Sequence, residues 1–195
     1  MNGALETLAQ AAARLVVDDG LEYGAAKRKA ARDLERRGGR RSDLPSNEAV
    51  EDEVREYLAL FQADTQPGEL EALRRLALAW MQRLSEFRPH LCGAVWRGTA
   101  TRRSMIHIEL YCDDPKSAEI GLLDRSIRFE AVGQPDGPDL LRVEVRCREL
   151  GEPVSLFLQV LDRDDLRGGL KPDTRGRTWR GDVPALQRLM QAEAP

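Results

Sequence analysis

The spacing of the apolar residues changes once along this chain, at Pro89, and this change limits the fold more than any other feature. Before Pro89, apolar residues recur at intervals of three and four, which is the period of an amphipathic α-helix. The clearest of four such segments contains Leu70, Leu73, Ala77, Trp80, Leu84 and Phe87. After Pro89, apolar and polar residues alternate, as they do in half-buried β-strands. The sequence therefore predicts an α+β protein in which N-terminal helices precede a sheet.

Five strands with flanking helices are predicted after Pro89. A short helix over residues 115–123 separates the second strand from the third, and Asp182 is placed to cap a last helix. The remaining connections are too short to contain a helix each, so we expect a mixed or antiparallel sheet. The five strands are predicted over residues 91–96, 105–111, 127–131, 141–147 and 154–161.

The best internal boundary lies after the second helix. Gly38 and Gly39 are placed to end that helix, and residues 40–46 are rich in turn formers. We therefore predict a helical extension over residues 1–45, followed by an α+β domain over residues 46–195.

Charge and cysteine content exclude several classes of protein. The chain has 30 basic and 33 acidic residues and a net charge of −3, so it is not a polycation that coats nucleic acid or membrane. Its longest stretch without a charged residue, residues 153–161, is too short to span a bilayer, and the N-terminus has no basic and apolar leader. Cys92, Cys112 and Cys147 fit neither a disulfide framework nor a zinc site. We expect a cytoplasmic protein with reduced thiols and no membrane partner.

One stretch, residues 93–110, carries most of the chemical signal. Gly98 and Thr99 lie between the first two predicted strands: the glycine allows close approach of an anion, and the threonine offers a hydroxyl. Arg102 and Arg103 add positive charge beside them, as Arg97 does before them. This composition predicts a phosphate-binding turn.

The same stretch resembles the nucleotidyltransferase superfamily, of the polymerase-beta or minor-nucleotidyltransferase kind. Members of that superfamily place a Gly-Ser pair after one strand and an Asp-x-Asp pair on the next. The resemblance covers residues 91–149 and the following strand, and it implies that the Gly98-Thr99 turn holds a triphosphate. In the superfamily, the two aspartates and a later carboxylate hold two magnesium ions for phosphoryl transfer.

The residues at the Asp-x-Asp positions differ from the superfamily motif. They are Met105 and His107 if Ser104 is aligned with the motif's serine, or His107 and Glu109 if the spacing is counted from Gly98-Thr99. At least one carboxylate is missing in either alignment, and Mg²⁺ prefers oxygen ligands. The resemblance therefore implies a degenerate relative that binds a nucleotide or other phosphate ligand.

An active nucleotidyltransferase with an atypical metal site is the alternative. In an active enzyme, Glu109 would be the surviving Mg²⁺ ligand, and Glu144 or Asp162 would be the later carboxylate. His107 would then orient a ligand or carry a proton. No Gly-x-Ser-x-Gly elbow and no Walker-type loop occurs, so neither a serine hydrolase nor a P-loop enzyme is indicated.

Three further hypotheses concern binding without catalysis. A basic segment, residues 27–41, is a possible track for nucleic-acid phosphates, although a solvated helix face explains the same pattern. The glycine-bearing basic region around Trp179 is a possible lid over a ligand, or an ordinary surface connection. The N-terminal helices are a possible surface for a second copy or a protein partner. The basic residues of the first segment are Lys27, Arg28, Lys29, Arg32, Arg36, Arg37, Arg40 and Arg41.

Overall fold

The protein has the α+β fold that the sequence predicts. A computed structural model describes residues 3–36, 43–133, 139–167, 172 and 175–193. Within these residues, seven α-helices and one six-stranded mixed sheet are present, and the N-terminal helices precede the sheet. The chain forms two compact units: residues 1–69 with 99–104, and residues 70–98 with 105–195.

The first unit is helical. Its helices α1 and α2 are joined by a turn at Gly20, whose φ of +68° is typical of a residue that follows a helix. Ser46 caps α3 by accepting a hydrogen bond from the amide of Ala49 (3.0 Å). Small and branched residues of all three helices form one buried cluster. The helices are α1 (Gly3–Asp19), α2 (Tyr23–Arg36) and α3 (Asn47–Phe61).

The division of the chain at residue 45 stays a prediction. The compact units group the elements differently, because α3 lies after residue 45 and shares its buried cluster with α1 and α2. The residues predicted to end the second helix, Gly38 and Gly39, lie outside the described residues.

The second unit contains the sheet and most of α4. Its helices are α4 (Gln66–Arg83), α5 (Gly93–Arg97), α6 (Lys116–Asp124) and α7 (Val183–Ala192). Its strands are β1 (His90–Cys92), β2 (Ile106–Cys112), β3 (Glu130–Ala131), β4 (Leu140–Cys147), β5 (Glu152–Asp162) and β6 (Arg180–Gly181). The predicted cap of the last helix is confirmed, since Asp182 accepts a hydrogen bond from the amide of Ala185 (2.9 Å).

The strands lie in the order β3-β4-β5-β2-β1-β6. The central pair β2 and β5 is parallel and every other pair is antiparallel, so the sheet is mixed. One face carries buried aliphatic residues from β2, β4 and β5, including Ile106, Ile108, Leu141, Leu156 and Leu158. The opposite face carries the polar residues considered below.

The first predicted strand, residues 91–96, is wrong from Gly93 onward. The strand ends at Cys92, and residues 93–97 form the short helix α5. An apolar run of this length fits a buried strand or a buried helix equally well. Buried Arg74 favours the helix, because its guanidinium donates to the carbonyl oxygens of Val95 (3.1 Å) and Trp96 (3.4 Å), which lie in the last turn of α5.

The other strands differ less from their predictions. The third is reduced to Glu130–Ala131, and a sixth strand at Arg180–Gly181 was not predicted. Two-residue strands are too short for alternation to reveal them. Among the described residues, no helix combines the length and the apolar character needed to cross a membrane.

Candidate ligand-binding site

The turn predicted to bind phosphate does not directly follow a strand. Gly98 lies in the second unit as the C-cap residue of α5, in the left-handed conformation with φ of +78°. The residue that follows β1 is Gly93, also with positive φ (+69°). The glycine at position 98 is therefore explained by the end of a helix.

Thr99, Arg102 and Arg103 lie in the first unit. Thr99 is buried, with 1% of its surface exposed, and its hydroxyl lies 3.4 Å from that of Tyr23. The side chains of Arg102 and Arg103 are exposed. This segment thus offers two solvated guanidinium groups but no accessible threonine hydroxyl.

The backbone amides of residues 101–104, which follow the Gly98-Thr99 pair, already have acceptors. Thr101 donates to the Ser104 hydroxyl (3.0 Å), and Arg102 donates to the Glu69 carboxylate (2.9 Å). Arg103 donates to the Thr101 hydroxyl (3.4 Å), and Ser104 donates to the Thr101 carbonyl (2.8 Å). An anion that used these amides would have to displace the protein's own acceptors, including one carboxylate. The geometry does not support an amide cradle at residues 101–104.

The polar alternation of β2 is present, and Glu109 is the residue with the strongest contacts. Only 7% of Glu109 is exposed. Its Oε2 accepts a hydrogen bond from the Tyr111 hydroxyl (2.7 Å) and forms an ion pair with Nη1 of Arg180 (2.8 Å). The same Nη1 donates to the Tyr111 hydroxyl oxygen (2.7 Å). These three residues, Glu109, Tyr111 and Arg180, form what we call the carboxylate cluster.

Ionisation in this cluster follows from burial and the charge pair. Burial, and then the Glu109 carboxylate as acceptor and as negative charge, raise the pKa of the Tyr111 phenol. Burial alone would lower the pKa of Arg180, but Glu109 and the Tyr111 contact raise it. The phenol therefore stays protonated and the guanidinium charged at neutral pH, and both hold the carboxylate in place.

The carboxylate cluster does not fit a magnesium site. Mg²⁺ needs several oxygen ligands in near-octahedral geometry, whereas a guanidinium and a phenol already bind Oε2 of Glu109. Within the described residues, no three His, Cys, Asp or Glu side chains are placed to hold a metal ion. Arg180 thus supplies the positive charge that compensates the Glu109 carboxylate.

The two candidate later carboxylates, Glu144 and Asp162, do not lie near Glu109. Glu109 is aligned with Gln159 of β5 and Leu140 of β4, so Glu144 lies two strands away and four residues along. Strand geometry makes this a Cα separation of roughly 16 Å. Glu144 is exposed and accepts a hydrogen bond from the Ser155 hydroxyl (2.7 Å). Asp162 is aligned with Cys112, so it is directed to the opposite face, and it caps the 3-10 helix Arg163–Leu166.

A single row of side chains crosses the polar face of the sheet through His107. His107 is aligned with Cys92 on one side and with Phe157 on the other. Because aligned residues of neighbouring strands point to the same face, the row extends over all six strands. In spatial order, this cross-sheet row is Arg180, Cys92, His107, Phe157, Arg142 and Glu130.

The centre of the cross-sheet row is aromatic, with an arginine on each side of it. One of these, Arg142, pairs with Glu130 at the end of the row (2.7 Å). The rings of His107 and Phe157 are stacked, with centroids 5.3 Å apart and planes 13° from parallel, and both residues are partly exposed. Arg142 lies next to Phe157, and Arg180 lies one strand beyond Cys92. Cys92 and Gly93, which are small, lie beside His107. This arrangement presents ring surface and guanidinium groups on one face.

The segment around Trp179 packs beside this row. The Arg97 guanidinium lies 4.1 Å from the centroid of the Trp179 ring, a cation–π contact. The Trp96 indole donates to the carbonyl of Thr178 (3.0 Å), and its ring lies against Gly181, where a Cβ atom would come within 2.1 Å. Trp179 therefore stacks on a protein side chain, and this contact holds the segment that carries Arg180.

Sequence reasoning missed Arg180, Phe157, Cys92 and Arg142 as members of one site. Alternation along residues 152–162 gives a signal for the face of Phe157, but no pattern in a single chain reports which strands are neighbours or in what register. Arg180 lies in a two-residue strand, and nothing local to it indicates a carboxylate partner.

The other proposed surfaces lie in the first unit. Lys27 donates to the Pro45 carbonyl (3.0 Å) and the Asn47 side chain (2.8 Å), and Lys29 pairs with Asp19 (2.9 Å). These two lysines therefore hold the helices of the unit, while residues 37–42 lie outside the described residues. Helix α3 ends with exposed Leu60 and Phe61, apolar side chains that a protein partner would cover.

Comparison with known proteins gives no family assignment. Neither the family models, nor the curated proteins, nor the solved structures yielded a significant match to this chain.

Proposed function

We propose that the chain is a nucleotidyltransferase-like protein that binds a nucleotide, or another ligand that combines a planar ring with phosphate, and does not transfer a nucleotidyl group. The single observation that carries the proposal is the ion pair of Glu109 with Arg180 beside the stacked rings of His107 and Phe157. The ion pair supports the absence of metal-assisted transfer, and the rings support ligand binding.

The ligand is assigned to the cross-sheet row rather than to the Gly98-Thr99 turn. A nucleobase is planar and apolar on its faces, and stacking on an aromatic side chain contributes about 1–3 kcal/mol per base. The phosphates take the guanidinium donors of Arg142 and Arg180, one on each side of the rings. Arg180 is partly exposed and uses Nη1 for both of its contacts in the carboxylate cluster, whereas its Nε is buried without a hydrogen-bond acceptor among the described residues.

Calorimetric titration with ATP, CTP, GTP and UTP, in buffer without divalent metal, tests this assignment. We expect wild-type protein to bind at least one triphosphate, and we expect His107→Ala and Phe157→Leu each to weaken binding roughly tenfold. The control is the double variant Arg102→Gln/Arg103→Gln, which removes the two exposed charges of the turn and should bind like wild type.

Two outcomes would contradict the proposal. Binding of no triphosphate at millimolar concentration removes the nucleotide function altogether. Weakening in the Arg102→Gln/Arg103→Gln variant, with His107→Ala unchanged, returns the ligand to the turn and removes the cross-sheet row as its site.

A cytoplasmic location is part of the same proposal. Cys92, Cys112 and Cys147 form no disulfide with one another, and a reducing compartment keeps cysteines in the thiol form. Rapid alkylation of intact cells, followed by mass spectrometry, should recover all three in the reduced form. Recovery of any of them as a disulfide would contradict this location.

A further inference from the structure

Strand β4 has one edge that is only partly paired. Along one side, all eight residues of Leu140–Cys147 are aligned with β5. Along the other side, β3 covers only Leu141 and Arg142. Residues 143–147 therefore have no strand on that side among the described residues.

The backbone groups that point out of this edge belong to Glu144 and Arg146. The carbonyl of Leu140 accepts a hydrogen bond from the amide of Val132, so Leu140 directs its backbone groups to the β3 side. In an antiparallel ladder, every second residue directs its amide and carbonyl the same way, which adds Arg142, Glu144 and Arg146. Arg142 is covered by β3. Within the described part of the chain, no backbone bond reaches the outer groups of Glu144 or Arg146.

The sequence along this edge is complementary to itself. If two copies of β4 lie antiparallel about a two-fold axis at Val145, Glu144 of each copy is opposite Arg146 of the other. Both residues then form hydrogen-bonded pairs, which gives four backbone hydrogen bonds, and their side chains lie on the same face with opposite charges. Because the two copies are related by a two-fold axis, each residue pair occurs twice in the interface.

On the other face of β4, the partial exposure of Val145 agrees with a partner strand at the centre of this edge. Val143 and Cys147 are buried, whereas Val145, which lies between them on the same face, is only partly buried. The two-fold axis would bring the two Val145 side chains together and cover both. Glu144 is exposed on its own face, and its contacts with the Ser155 hydroxyl (2.7 Å) and with Nε of Arg142 (3.7 Å) both use Oε1.

We propose that this protein forms a homodimer by antiparallel pairing of β4 with β4 of a second copy, centred on Val145, which joins two sheets into one. The interface is small, so dimerisation depends on protein concentration. Single charge reversals place like charges opposite each other at two symmetric positions, and each should weaken the dimer roughly tenfold or more.

Sedimentation velocity of the full chain, over a series of concentrations, tests the interface with two variants. Glu144→Arg alone and Arg146→Glu alone should both be monomeric at concentrations where wild type is dimeric. An equimolar mixture of the two should form a heterodimer, because one copy then presents two arginines along this edge and the other copy presents two glutamates opposite them. The control is Arg167→Glu, the same charge change at an exposed site beyond the end of β5, which should leave the dimer unchanged.

Circular dichroism of each variant establishes that it is folded before its mass is interpreted. A wild-type protein that stays monomeric up to its solubility limit overturns the proposal. It is equally overturned if wild type is dimeric and both single variants dimerise as strongly, or if the folded variants stay monomeric when mixed.

Discussion

Glu109 shows how a residue's partners determine its chemistry. Its position on β2 is compatible with a metal ligand, yet its carboxylate is buried against an arginine and a tyrosine. A buried carboxylate without a compensating charge is costly, so the protein needs Arg180 at this place whether or not a ligand binds. The pair is thus a structural requirement of the sheet as well as a feature of the candidate site.

The ion pair predicts a specific pattern of stability. Arg180→Met leaves Glu109 buried without its cation and should lower the free energy of unfolding by about 2 kcal/mol or more. The double variant Glu109→Gln/Arg180→Met removes both charges and should be more stable than Arg180→Met alone. Urea unfolding of wild type, Glu109→Gln, Arg180→Met and the double variant measures the coupling between the two charges. Additive effects of the two substitutions would show that the pair contributes nothing.

Tyr111 predicts a pH dependence of stability. Burial and the Glu109 contact raise the pKa of the phenol in the folded protein above its unfolded value of 10.0. The stabilisation that Tyr111 gives the folded state is fully present at pH values below the unfolded pKa. As pH rises further, the unfolded chain loses the proton while the folded chain keeps it, so the folded state is disfavoured by up to about 1.4 kcal/mol per pH unit.

The variant Tyr111→Phe isolates this effect. Below the unfolded pKa, wild type should be more stable than the variant, because the variant lacks both hydrogen bonds of the hydroxyl. The difference in unfolding free energy should shrink at more alkaline pH, as measured by urea unfolding. A difference that stays constant across the alkaline range would mean that the Tyr111 pKa is not raised.

At the scale of the element, α5 shows why the end of the first strand escaped prediction. Residues 91–96 read as one apolar run, and nothing within that run separates a strand from a helix. The difference comes from Arg74, about 20 residues earlier on α4, which satisfies carbonyls at the C-terminal end of α5. It also pairs with Glu193, directly after α7. A contact so distant in sequence has no local signature.

These contacts predict that substitution of Arg74 destabilises the protein and that substitution of its neighbour Arg75 does not. Arg74 is 3% exposed, and Arg74→Gln should lower the unfolding free energy by about 2–4 kcal/mol, because buried carbonyls and a carboxylate lose their donor. Arg75 is exposed and pairs with Glu71 and Glu149, so the matched control Arg75→Gln should cost under about 0.5 kcal/mol. Equal losses in the two variants, by urea unfolding, would contradict a special role of Arg74.

The long elements were predicted correctly where the residue pattern within the element is enough to determine it. Strands β2 and β4 were predicted because their alternation extends over seven residues, β5 because residues 154–161 form an apolar run, and α7 because Asp182 marks its start. The short β3 and β6 have no such pattern, yet β6 carries Arg180. The element that matters most to the candidate site was thus the hardest to see in the sequence.

At the scale of the whole molecule, the fold class was predictable and the site was not. The change of period at Pro89 predicts helices followed by a sheet, and this is confirmed. The site depends on which strands are neighbours and in what register, and the cross-sheet row joins residues from position 92 to position 180. A single sequence gives the spacing of residues along the chain, whereas the cross-sheet row depends on how the strands are arranged side by side.

We propose that Arg180 compensates the Glu109 charge in place of a metal cation, so that ligand binding is independent of divalent metal. The most direct test is the affinity for the best-bound triphosphate, measured by calorimetry in EDTA and in magnesium, together with an assay of pyrophosphate release. We predict affinities that agree within a few-fold and no release of pyrophosphate. Affinity that rises tenfold or more with magnesium, accompanied by pyrophosphate release, would contradict it.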